Sequence, residues 1–170
     1  DLTIGCLLAE GRRTEEFIKG FKSCLFDNNI SYDAGNIFFD LNEKLLNDIN
    51  QNRITGLISS HYRRALEFYQ LMSSLHRKLP YSTSLVSIKN DTTEQLIYPG
   101  STEISTYTIR NADFGSEICK KLISVIEKRN DIDSSFTQKF HLDNKGTIGK
   151  PSQHFPPKIT VVGSINVDKY

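Results

Sequence analysis

The sequence predicts an α/β fold, a parallel sheet with helices on both faces. Three observations carry that reading. Through the first 90 residues, apolar runs of strand length alternate with amphipathic stretches of helix length. The connections between them are short, so successive strands joined through helices run parallel by right-handed crossovers. The strand-like runs are also nearly continuous in apolar residues, as expected where a strand is covered on both faces.

The elements follow in order. "LTIGCLLA" (2–9) reads as a first strand. From Arg12 to Asp27 the apolar residues Phe17, Phe21, Cys24 and Leu25 recur at three and four, which predicts a helix ended by Asn28-Asn29. "NIFFD" (36–40) is a second strand. "LNEKLLNDINQ" (41–51) is a second helix with Leu41, Leu45, Leu46 and Ile49 on one face. "ITGLIS" (54–59) is a third strand, and 61–79 a long third helix with Ala65, Leu66, Tyr69, Met72 and Leu75 inward, stopped by Pro80. "TSLVSIK" (83–89) is a fourth strand. Beyond Lys89 the rhythm breaks into a polar, Thr-rich stretch with a Pro-Gly turn and an extended piece around 104–109. A fourth helix is expected from about Asp113 to Arg129, an edge strand at 136–142, and a linker over 143–157, rich in Gly, Pro and Asn.

Composition bounds the function. The 170 residues carry a net charge of +1, so the chain lacks the electrostatic footprint of non-specific nucleic-acid binding. No apolar run approaches the ~20 residues of a membrane helix, and nothing at the start reads as a signal peptide. A cytoplasmic location follows as the expectation, with Cys6, Cys24 and Cys119 as buried free thiols. Without an initiator Met, the chain is expected to be a piece of a longer protein. No phosphate-binding glycine loop, nucleophile elbow or zinc-helix motif occurs, and the four histidines are widely spaced. No catalytic residue, metal site or cofactor is therefore expected in this segment. In parallel sheets ligands bind beyond the carboxyl ends of the strands. Those ends gather Arg12, Arg13, Asp40, His61, Arg63, Lys89 and Asp91 on one rim, and its basic excess suits a phosphate or carboxylate.

The order of these pieces resembles a known family. "RRTEEFIKGFKSCLFDNNI" is similar to the "R-x-x-G-F-x-x-A-L" helix of the lactose/galactose-repressor family of bacterial regulators. "ITGLISSHYRRALEFYQLMSSLHRKLPYSTSLVSIKND" resembles that family's strand-helix-turn-strand ending in "GFDD". "YPGSTEISTYTIRNADFGSEICKKLISVIE" and "FHLDNKGTIGKP" resemble the segments that follow, so the likeness spans 2–151. It implies a periplasmic-binding-protein-like (type I) lobe over 1–142. Residues 2–103 would form the second of the family's two lobes, with 136–142 the strand that returns to it. DNA would be contacted only through a headpiece absent here. It also implies a sugar or sugar-phosphate effector, no membrane partner and a possible homodimer. The helix at 113–129 would belong to the other lobe, which leaves Phe114, Ile118, Leu122 and Ile126 seeking cover.

Carried over position by position, the family's sugar-binding arginine becomes Phe17, the Asn or Ser that opens its "D-R-M-A-L" turn becomes His61, and its Asp becomes Tyr62. Arg63 keeps the next position, and the two Asp of "GFDD" become Lys89 and Asn90. With Arg13, the residues Phe17, His61, Arg63 and Lys89 make the candidate ligand site. His61 and Lys89 together would suit an anionic ligand such as a sugar phosphate. Finally, "ITVVGSINVD" (159–168) resembles the first strand of ribokinase-family sugar kinases, which makes Asn166 and Asp168 a remnant of a sugar contact. That likeness implies a truncated kinase domain over 158–170, with ATP and magnesium needed only downstream. The alternative it implies is a regulatory or dimerising extension of such a kinase.

Overall fold

The computed structural model describes residues 2–90, 104–127 and 140–150. Its elements are β1 (Ile4–Leu7), α1 (Thr14–Asp27), β2 (Ile37–Phe38), α2 (Glu43–Asn50), β3 (Gly56–Ser59), α3 (Tyr62–Ser74), β4 (Ser84–Asn90), β5 (Thr106–Ile109), α4 (Asn111–Ile126) and β6 (His141–Asp143). The six strands form one sheet in the order β2-β1-β3-β4-β5-β6. All neighbours are parallel except the antiparallel edge pair β5 and β6. The expected α/β architecture with a parallel sheet is what forms.

Side chains alternate along each strand, so each sheet face gathers its own core. On one face Leu7, Leu57 and Leu85 meet Phe38, Leu45, Ile49, Ala65, Leu66, Phe68 and Met72, which brings α2 and α3 onto the sheet. On the other, Cys6 and Leu8 meet Phe21 and Leu25 of α1, flanked by Ile4, Ile37 and Ile58. Fully burying each of these large side chains contributes about 1.5–3 kcal/mol. The α1 face is covered only in part. Ile4, Ile58, Val86, Tyr107 and Leu142 line an open apolar groove of about 360 Å³ that runs from β1 across β3, β4 and β5 to β6. α4 has no buried residue, and Phe114, Ile118, Leu122 and Ile126 are all exposed, as expected of a helix without its cover.

Three helices stop by one device. Asn29, Asn52 and His76 each adopt a left-handed φ near +55° just past α1, α2 and α3. The next amide reaches back five residues, with Ile30 donating to Leu25, Arg53 to Asp48 and Arg77 to Met72, as in a Schellman turn. Asn at two of these positions is readable from sequence, because Asn tolerates this region. His76 is not, which is why α3 ends at Ser74 rather than at 79 and leaves Leu75 exposed. Phe68, placed on no inward face by the sequence reading, is fully buried on α3. α2 starts on a cap, with the Asn42 side chain accepting from Leu45 N–H at 3.0 Å.

The first residues of the expected linker are docked. Thr147 N–H donates to Ser105 Oγ (3.2 Å), and its hydroxyl donates to Leu85 C=O (2.8 Å) while accepting from Ser105 N–H (2.9 Å). Leu85 N–H donates to Thr147 C=O at 2.8 Å. Ser84 Oγ in turn donates to Gly149 C=O at 2.8 Å. Gly and Asn in "DNKGTIG" therefore serve a turn, with Gly146 at φ 87°, rather than a free tether. One further expectation changes. Cys6 is buried, but Cys24 and Cys119 are exposed, Cys119 on a helix that buries no residue.

Candidate functional site

β1 has β2 on one side and β3 on the other, and the chain moves from β1 to β2 by α1 and from β2 to β3 by α2 on the opposite face. Strand order reverses at this point, so the loops after β1 and β3 diverge and leave a crevice at their carboxyl ends. A cleft of about 470 Å³ occupies it, within the usual range for a small-molecule pocket.

Its walls are chemically divided. Leu8, Phe17, Ile88 and Ile109 supply an apolar side, and Glu10, Arg12, Arg13, Thr14, Ser60 and His61 a polar one. The β1 loop is braced by Thr14, whose hydroxyl donates to Ala9 C=O at 2.9 Å. Ala9 N–H donates to Ser60 Oγ at 3.4 Å, which ties this loop to the β3 end. Ser60 Oγ and His61 Nδ1 lie 2.8 Å apart, which holds the imidazole by one nitrogen. Among the described residues, neither the Arg12 nor the Arg13 guanidinium has a hydrogen-bond or ion-pair partner. Arg13 occupies the N-cap position of α1 without a side-chain cap bond.

Of the site expected from sequence, Arg13, Phe17 and His61 come together in this cleft. Arg63 does not line it. That side chain is 82% exposed on α3 and pairs with Glu67 at 3.3 Å. Lys89 follows Ile88 on β4 and so points to the opposite face, where its ammonium sits 5.3 Å from the Tyr62 ring centroid. His61 and Lys89 therefore do not share a pocket. Asp40 pairs with Arg64 at 3.5 Å, also off the cleft. Asp91, Asn166 and Asp168 lie outside the described residues. The expected site lacked Glu10, Ser60 and Ile109. The first two follow once strand order is known, because they close β1 and β3 at the switch point. Ile109 carries no sequence signal. Among the described residues, no group of three or more His, Cys, Asp or Glu could hold a metal, and no helix is long and apolar enough to cross a membrane.

Neither protein-family models nor curated proteins yield a match to this chain. Solved structures do. A transcription regulator from Lactobacillus plantarum superposes with a TM-score of 0.61 at 17% identity, over 86% of this chain and 59% of that one. A LacI family transcriptional regulator from Bifidobacterium animalis subsp. lactis gives 0.60 at 12%, over 88% and 56%. The regulator CelR, solved with cellobiose, gives 0.58 at 12%, over 85% and 46%. The likeness is one of fold. It is the periplasmic-binding-protein-like fold of LacI-family regulators, and this chain spans about half the length of those it matches.

Proposed function

We propose that the chain is the effector-binding lobe of a sugar-responsive transcription regulator, taking a sugar or sugar phosphate in the cleft between the β1 and β3 loops. The observation that carries this is the position of the cleft. A half-apolar, half-polar crevice sits at the switch point of a sheet shared with regulators of this kind, one of them solved with cellobiose. Such a wall suits a polyol, whose C–H face packs on Phe17, Ile88 and Ile109 while its hydroxyls meet Ser60, Glu10 and His61. Regulation would come from a ligand that favours one arrangement of two lobes over another, which requires different affinity for the two states.

The open sheet face and the α4 stripe are the surfaces through which this lobe would meet the rest of such a core or a second copy. DNA contact would need a headpiece supplied by the longer protein. Fusion to a ribokinase-like kinase rests on residues 159–168 alone, and the coding sequence beyond Tyr170 tests it.

The binding reading is tested by following backbone amides during titration with a panel of sugars and sugar phosphates. Shifts confined to Ala9–Thr14, Ser60, His61 and Ile109 are expected. Saturable shifts elsewhere, or none with any compound, would overturn it.

A further inference from the structure

We infer that the ligand of this cleft carries a phosphate group, held by Arg12 and Arg13, on a small polyol. The inference rests on the binding role proposed above and adds the chemical class. The cleft wall holds two guanidinium groups against one carboxylate, Glu10, and the remaining polar side chains, Thr14, Ser60 and His61, add no negative charge. On this molecule Arg53, Arg63 and Arg64 pair with nearby carboxylates. Arg12 and Arg13 do not, although Glu10 lies on the same loop and Glu15 and Glu16 follow directly.

A guanidinium offers a planar fork of donors that matches a phosphate's oxygens, and two adjacent forks can share a single dianion. A neutral sugar makes poor use of that arrangement. It needs acceptors for its hydroxyl protons, and the side chains of this wall supply few: one carboxylate, the Thr14 and Ser60 hydroxyls and one imidazole nitrogen. Phe17, on the first turn of α1, belongs to the apolar wall, and the cations stand on the loop that precedes it.

The roles divide along the cleft. Arg12 and Arg13 take the phosphate at the mouth of α1. Phe17, Leu8, Ile88 and Ile109 take the carbon skeleton, and Ser60 with His61 takes a hydroxyl at the far end. Because both arginines are exposed, the attraction is screened by salt.

The test titrates the 170-residue chain calorimetrically with ribose 5-phosphate, ribose and inorganic phosphate, at about 0.02 and 0.2 M salt. Ribose 5-phosphate is expected to bind at least ten-fold more tightly than ribose, with inorganic phosphate competing and added salt narrowing the gap. In the double variant R12A/R13A the preference should fall to near one. R12K/R13K, which keeps the charge but not the fork, should lie between, and E10Q should strengthen phosphate-ester binding several-fold. The uncapped start of α1 makes these variants compatible with folding, which a thermal melt of each verifies. Ribose binding as tightly as its phosphate, or a preference that survives R12A/R13A, overturns the inference and leaves effector binding in place. Binding of none of the three, with shifts from no sugar in the wider panel, removes both.

Discussion

Replacing Thr147 by valine removes one hydroxyl and almost no volume, so its cost reports how firmly residues 143–150 are held to the sheet. The hydroxyl bridges two backbone groups, donating to Leu85 C=O at 2.8 Å and accepting from Ser105 N–H at 2.9 Å. Both Ser105 and Thr147 are buried, so water cannot replace what is lost. Leaving the Ser105 amide unpaired costs about 1–3 kcal/mol, and the lost bond to Leu85 adds about 1 kcal/mol. A total of roughly 2–4 kcal/mol lowers the melting temperature by roughly 4–16 °C for a chain of this size. Urea unfolding followed by circular dichroism should show the midpoint falling with the slope unchanged. Thr147→Ser keeps the bridge and loses one methyl, so it should cost only about 1 kcal/mol. A Thr147→Val change below about 0.5 kcal/mol, the level of an ordinary surface substitution, would mean that the segment is a free linker after all.

Asn42→Ala should cost about 1 kcal/mol by removing the cap on α2, measurable in the same denaturation series. Burial pushes the Cys6 thiol from its ordinary 9.0 up to about 12, so it stays protonated in the fold where the unfolded thiol ionises. Its contribution to stability is therefore complete below pH 9 and declines as pH rises toward 12. At pH 8.5 a thiol reagent should label Cys24 and Cys119 in the native chain and reach Cys6 only on unfolding; rapid native labelling of all three would contradict the buried strand position. The α4 stripe is expected to drive concentration-dependent association, with Ile118→Asp and Leu122→Asp shifting the chain to monomer in sedimentation velocity. A wild-type chain that stays monomeric at all concentrations would refute this.

Much of the fold could be read locally. The periodicity around Phe21 and Leu25 marked α1, the run Leu45 to Ile49 marked α2, and the continuous apolar character of 2–9 marked a strand covered on both sides. What could not be read were features decided by one residue's backbone, such as the left-handed turn at His76 that shortens α3. Docking of Thr147 was equally hidden, because its partners Leu85 and Ser105 lie 62 and 42 residues away.

The candidate site shows the same division. By itself the sequence determined which residues close each strand, and hence that Arg12, Arg13 and His61 gather at the carboxyl edge of the sheet. Only the tertiary structure decided which of these share a cleft. Strand order places the β1 and β3 loops side by side, which joins Arg13 and Phe17 to His61 across about fifty residues. Pleating then sends Ile88 into the cleft and Lys89 to the other face, where it meets the Tyr62 ring. A one-residue step along a strand reverses the direction of a side chain, and proximity in sequence to a rim does not say which side of the sheet a charge will serve.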